Sequence, residues 1–318
     1  MLKKVAVLAC LVIGIGGLGL SESYTFYIVS HGGPSDPFWG KVIKGMQAAE
    51  EFINSSTGDS VRVIYSGPPV YSVEAFVEML NAAIAARPDG IAATMTNPAA
   101  TDEPMRRAIS LGIPIIAINT PDTRPREERI PYLFFIGADQ YLAGVRAAER
   151  VLSVHTPTRA VVAIHEVGHV GFENRAQGFI DTMAAAGVPA EKLATGLDPT
   201  QAIEILRGYF TRHPDTDAIF TVGTLVSTWV IQFLQEQNLV GQVVHAAHDV
   251  HPVILKAIRD GTTLLTISQR QYFQGYLAVF YLYWYQKFGF FPASDVLTGP
   301  SIIDQKNVDM VEQNELYW

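Results

Sequence analysis

The chain of 318 residues has one cysteine, Cys10, and it lies inside an apolar run near the N-terminus. Beyond that run there is no disulfide to staple a fold and no thiol to act as nucleophile. Positive charge is also scarce. The 23 Lys and Arg face 31 Asp and Glu, a formal charge of −8, and the basic face that nucleic acid requires is excluded. A full membrane span is missing at the N-terminus. The sixteen apolar, Gly-rich residues 5–20 fall short of the about 20 that a bilayer helix needs. What stands there instead is Met1-Leu2-Lys3-Lys4, the apolar run, and then small polar Ser21-Glu22-Ser23. That is the order of a secretory signal peptide over residues 1–23, cut after Ser23, with export to the periplasm or cell surface. A retained anchor is the alternative, as is a lipid anchor on Cys10 in Val7-Leu8-Ala9-Cys10.

After residue 23, short runs rich in β-branched residues alternate with patterns of helical period. Residues 24–29 read as a strand and 38–53 as a helix, with Val42, Met46, Ala49 and Ile53 on one side. Strand, helix, strand continues at 61–65, 73–86 and 90–95, then helix 104–110 and strand 114–118. A second series runs from 133–136 through helix 141–152, strand 160–164, helix 176–186, helix 200–211, strand 218–222, helix 226–237 and strand 243–247. Such alternation gives parallel sheets covered by helices on both faces. The fold class is α/β, with two similar doubly wound lobes. In such sheets ligands gather beyond the carboxyl ends of the strands, so the polar residues just after each strand are the candidates for function.

One of these stretches spells a metalloprotease motif. His165-Glu166-Val167-Gly168-His169 matches H-E-x-x-H, in which two histidines one helical turn apart bind zinc. Here the motif follows a buried-strand pattern at 160–164, and Gly168 and Gly171 disfavour a long helix. The extended form of the motif would need Gly at 172 and His at 175, where Phe172 and Arg175 stand. The expectation is a polar loop after a strand, with a helix beginning near Asn174 and Arg175 pointing its guanidinium at ligand hydroxyls. No metal is expected. A zinc protease is kept as a remote alternative.

Ser35-Asp36-Pro37-Phe38-Trp39 follows the first strand as a helix start. Adjacent aromatics on a helix cannot both enter one core, so one or both should face the cleft. Flat rings match the C–H patches of sugars, while amides and carboxylates take the hydroxyls. At this point the chain resembles the ribose-type (type I) periplasmic sugar-binding proteins of ABC transporters, over residues 24–308. The resemblance rests on VSHGGPSDPFWGKVIKGMQAAEE, RPDGIAATMTNPAA, LGIPIIAINT, NRAQGF, HPDTDAIFTV, AAHDV and AIRDGTTLLTISQ, in that order. The loop EVGHVGFENRAQGF is similar to the branch handling fructose, other simple sugars and polyols.

The resemblance implies a two-lobed fold with a three-stranded hinge, crossed near Tyr132-Leu133, Gln269 and Leu297-Thr298. Residues 24–132 with 269–298 would form the first lobe, and 133–268 with 299–318 the second. Pro-bounded 121–131 and 291–292 would flank the hinge. It implies that Phe38 and Trp39 stack on a sugar, that Asp36, Asn97, Asn119, Arg175, Asp249 and Gln269 bind hydroxyls, and that closure of the lobes traps the ligand. Thr120 and Gly223 depart from the ribose binders, which carry Arg and Asn there. That removes reach and opens space, and His31, His165 and His169 could supply replacement donors. The implied protein is no enzyme and needs no cofactor. It is a monomer that captures a monosaccharide or polyol and passes it to the membrane permease of an ABC importer. A receptor for a signal or chemoattractant on the same fold is the alternative.

Overall fold

A computed structural model describes residues 21–318, and the expected signal peptide lies, as far as residue 20, outside the described residues. The first half builds a sheet from β1 (Ser23–Val29), β2 (Ser60–Ser66), β3 (Gly90–Ala93), β4 (Ile115–Asn119) and β5 (Phe135–Ala138). The second builds one from β6 (Ala160–Ile164), β7 (Ala190–Ala194), β8 (Ala218–Thr221), β9 (Val244–His248) and β10 (Leu265–Ser268). Two late strands complete them, β11 (Val296–Gly299) beside β5 and β12 (Ser301–Ile303) beside β10. The orders are β11-β5-β4-β3-β1-β2 and β12-β10-β9-β8-β6-β7. All neighbours are parallel except β12, which runs against β10. Two doubly wound α/β lobes result, as the alternation of the sequence implied.

Each sheet is buried on both faces, which is why its strands read as continuous apolar runs. Along β1, Phe26 and Ile28 enter a core with α1 (Pro37–Ser56) and α9 (Gln271–Phe288). Val29 points the other way, against α2 (Val73–Ala85) and α3 (Pro98–Ser110). Along β6, Val162 and Ile164 meet α4 (Gln140–Leu152) and α5 (Val170–Ala185). Val161 and Ala163 meet α6 (Pro199–Arg212) and α7 (Thr224–Glu236). Most helices start on a built cap. Asp36, Asp139 and Asp198 accept from Phe38 N, Leu142 N and Gln201 N at 2.7, 2.9 and 2.8 Å, and Pro opens α1, α3 and α6.

Two helix pairs pack unusually close, and paired glycines allow it. A Cβ on Gly45 would strike the Tyr272 carbonyl and one on Gly275 the Val42 carbonyl, locking α1 to α9. Gly144 and Gly178 do the same for α4 and α5, against the carbonyls of Arg175 and Tyr141.

The crossings between lobes need one correction. The chain was expected to pass to the second lobe near Tyr132-Leu133, but β5 pairs with β4 in the first sheet, Ala117 opposite Phe135. The passage falls at Asp139, the cap of α4. The short β-branched pattern at 133–136 marks a strand without saying which sheet holds it. Residues 121–131, expected to flank the hinge, fold back on themselves between β4 and β5: Asp122 accepts from Ile130 N at 2.9 Å and pairs with Arg124. The other crossings run from β10 to α9 at Gln269-Arg270 and from β11 to β12 at Pro300. They are tied together, since Thr298 Oγ1 and Gln274 Nε2 both donate to the Gln269 carbonyl, at 2.7 and 3.0 Å.

Candidate functional site

The carboxyl ends of β1 and β4 face those of β6, β8 and β9, and the residues that follow them enclose a cavity of about 390 Å³ including its mouth. From the first lobe come His31, Asp36, Phe38, Trp39 and Asn119, and from the second His165, Glu166, Phe172, Arg175 and Asp249. Gln269, at the middle crossing, lines it too, as does Gly223 with Thr224 and Leu225. Nine of the eleven residues singled out from the sequence thus surround one gap; His169 does not line it.

Nor does Asn97. Its side-chain oxygen accepts from Ala100 N at 3.2 Å as the cap of α3, so an Asn-Pro that resembles a hydroxyl-binding amide is a helix start. Sequence reasoning also missed Glu166, Phe172, Thr224 and Leu225. Glu166 and Phe172 stood in the protease-like stretch, where the only signal was a polar loop after a strand.

The ends of the strands are held in tense geometry. Asn119 and Asp249 take φ of 63° and 73°, the left-handed region, at the ends of β4 and β9; such conformations cost about 1–3 kcal/mol where a fold imposes them. Here they turn both side chains inward. Asp249 Oδ1 accepts from Gln269 Nε2 at 2.8 Å and from His248 Nδ1 at 3.1 Å. Its Oδ2 accepts from Thr224 Oγ1 at 3.3 Å. Burial opposes the charge, but His248, Arg175 and Gln269 hold this carboxyl below the usual range.

Arg175 is 1% exposed. Its Nε donates to Gln140 Oε1 at 2.7 Å, its Nη1 to the Val222 carbonyl, and its plane lies 5.0 Å from the Phe172 ring centre. Gln140 in turn donates to the Asn119 carbonyl at 2.9 Å. A single network therefore joins both lobes across the crossings. Burial draws the guanidinium down to about 10, still cationic at neutral pH.

Two further carboxyls face the cavity from opposite lobes. Burial raises Asp36 to about 6, against the bond from Phe38 N. Burial, reinforced by Asp36, raises Glu166 to about 8, and its Oε2 is buried without a partner. At neutral pH Glu166 is largely a neutral acid able to donate.

The protease-like stretch is not a zinc helix. α5 begins at Val170, earlier than the expected Asn174, because His169 caps it: Nδ1 accepts from Gly171 N at 3.1 Å and Phe172 N at 3.3 Å. His165 and His169 sit before the helix and diverge. His165 fills the space beside Gly223, where a Cβ would come within 2.9 Å of its ring, so the room expected from that glycine is occupied by a histidine. His169 meets His31 instead, Nε2 to Nε2 at 3.2 Å. His31, Glu166 and His169 bring potential ligand atoms within 4.8 Å of one another. The set does not suit a metal. A ligating imidazole needs its other nitrogen protonated and donating, whereas Nδ1 of His169 faces two N–H donors and must keep a lone pair.

Phe38 and Trp39 pack edge to face at 4.9 Å between ring centres, and Trp39 meets His31 in the same manner at 5.1 Å. The arrangement presents ring surfaces from Phe38, Trp39 and Phe172 beside hydrogen-bonding groups of both polarities.

Residues 26–288 match the family model of the periplasmic binding protein domain. A curated relative, the xylose/arabinose-binding protein XylF of Sulfolobus acidocaldarius, is 28% identical over 251 residues, 76% of this chain. The chain spans only 61% of the length of that relative. Among solved structures, an ABC sugar transporter periplasmic sugar-binding protein of Legionella pneumophila is 28% identical. It superposes with a TM-score of 0.80 over 87% of this chain and 99% of that one. A carbohydrate transporter of Acidothermus cellulolyticus 11B in complex with myo-inositol is 26% identical, with a TM-score of 0.82 over 92% of this chain and 98% of that one.

Proposed function

The chain belongs to the periplasmic binding protein domain family, and on that premise we propose that it captures a monosaccharide or cyclic polyol between its lobes and delivers it to the permease of an ABC importer. The observation that carries this reading is the cavity itself. Aromatic faces of Phe38, Trp39 and Phe172 stand beside Asp36, Asn119, Glu166, Arg175, Asp249 and Gln269, the pairing that a molecule with apolar C–H patches and several hydroxyls requires. Charged groups serve a neutral ligand because a carboxylate and a guanidinium each bind two hydroxyls at once. The relatives that bind xylose, arabinose and myo-inositol support the same class.

The working cycle is closure. The ligand touches residues of both lobes, so it binds the shut form better and shifts the hinge toward it. The three crossings at Asp139, Gln269-Arg270 and Pro300 absorb the motion. The protein acts as a binding protein outside the cytoplasm and performs no chemistry on its ligand.

Titration calorimetry of the purified protein against pentoses, hexoses, ketoses and polyols, myo-inositol included, tests the reading. One ligand per chain is expected for at least one member. Silence across the panel refutes it.

A further inference from the structure

One contact between the lobes is made directly by two side chains. His31 follows β1 in the first lobe, and His169 caps α5 in the second. Their Nε2 atoms lie 3.2 Å apart, and the rings are 5% and 1% exposed. Beside them Val170 N donates to the Thr96 carbonyl at 3.2 Å, a second bridge between the lobes.

The protons in this contact are fixed by the backbone. Nδ1 of His169 accepts from the N–H groups of Gly171 and Phe172, so it is unprotonated and the ring hydrogen sits on Nε2. That hydrogen points at His31 Nε2, which must then offer its lone pair. The His31 hydrogen is left on Nδ1, 3.2 Å from Thr94 Oγ1. A second proton on either ring would set N–H against N–H. We propose that His31 and His169 form a latch that closes only when both rings are uncharged, so that acidification releases the lobes.

The surroundings agree. Burial, then neighbouring His165 and Arg175, depress His31 to about 3. His169 is held well below its ordinary value by burial, His31 and Arg175. In the open form His31 meets water and titrates at about 6.5, while His169, still capping α5, stays lower. Closure therefore expels protons, and its stability is complete above about 6.5 and falls as pH drops below it. The remaining titratable groups that face the pair are Tyr71, packed against both rings and held neutral by burial, Glu166, which approaches both rings, and Asp36 and Asp249 across the cavity. Glu166 and Asp36 are raised by burial and take up protons on closing, an opposite slope. A comparison between two proteins that share these carboxyls removes that contribution.

The experiment uses the full chain with Cys10→Ser and nitroxide labels at Val70→Cys and Val167→Cys. Val70 is 61% exposed and Val167 64% exposed, on the rims of the two lobes. Pulsed EPR without ligand reads the short and long label distances at pH 7.5 and 5.5. The reference carries His31→Gln and His169→Asn in addition. The closed-to-open ratio of the latch protein, divided by that of the reference, should fall at least about tenfold between these pH values, the factor that one ring titrating at about 6.5 in the open form contributes over the pH unit below it. Should the double variant not fold, His31→Gln alone leaves the α5 cap untouched and the quotient should fall about tenfold. A quotient constant within about threefold overturns the latch. So does the absence of any short-distance population at pH 7.5 in the latch protein.

Discussion

Replacing Asp249 tests the charge at the centre of the site. Asp249→Asn keeps the shape: the amide oxygen can still accept from Gln269, Gln271 and His248, which lie 2.8, 3.3 and 3.1 Å from Oδ1. What it removes is the negative charge that faces buried Arg175. No ion pair joins the two directly; the bonds Asp249 accepts are to a charged oxygen, about 1.5–3 kcal/mol each against about 0.5–1.5 for neutral ones. The hydrogen bonds survive in the weaker form, so a loss of about 2–3 kcal/mol is expected. Asp249→Ala also abandons those donors, each an unsatisfied buried group worth about 1–3 kcal/mol, and should reach about 4–5 kcal/mol. Urea unfolding at neutral pH and room temperature measures both. The sign of the pH dependence follows from the depressed carboxyl. Its contribution is complete above the unfolded value of about 3.9 and is lost as pH falls through the lower folded value. The gap between native protein and Asp249→Asn should hold from pH 8 to 5 and narrow only below about 4. A variant as stable as the native protein at pH 7, or a gap that closes near pH 6, would refute a charged network centred on Asp249 and Arg175.

Glu166→Gln replaces a carboxyl that burial raises to about 8. Closing the native protein must add a proton there, at a cost that grows from about pH 4.5 and levels off above 8, so the variant should bind a sugar more tightly than native at pH 8 and match it near pH 5; calorimetry at the two values decides. Gly223→Ala places a methyl 2.9 Å from the His165 ring and 3.5 Å from Phe172, and the overpacking should cost about 1–3 kcal/mol of stability together with ligand affinity. Gly178→Ala drives a methyl into the Tyr141 carbonyl, forcing α4 from α5, and a loss of about 1–3 kcal/mol by denaturant unfolding is expected. Treatment with EDTA should leave sugar affinity unchanged, since Nδ1 of His169 has its lone pair committed to N–H donors; loss of binding restored by zinc would reverse that conclusion.

The periodicity of this chain determines much of the architecture. Runs such as Ala160–Ile164 are apolar at every position because both faces of the strand are covered, and that pattern has one physical solution, a parallel sheet between helices. Edge strand β7 escaped notice because none of its residues is buried and it carries Glu191 and Lys192. Residues 133–136 announced a strand, yet sheet membership depends on which neighbour it meets, and local pattern carries no such record.

The residues of the site were legible where they end a strand. Asp249 and Asn119 sit at junctions whose position the alternation fixes, and the place fixes the direction; Arg175 lies inside α5. Asn97 misled because Asn before Pro serves a helix cap and a ligand equally well, and only the turn geometry decides. Gly223 suggested room, whereas a histidine from another strand end fills it.

By itself, then, the sequence determined the local alternation, the strand ends and the scarcity of thiol and positive charge, since these follow from short-range sterics and composition. The tertiary structure alone decided which side chains meet across the gap. His31 and His169 are 138 positions apart, and no rule of spacing brings them together. Their contact, and the proton each ring lacks, exist only because two separately built lobes face one another.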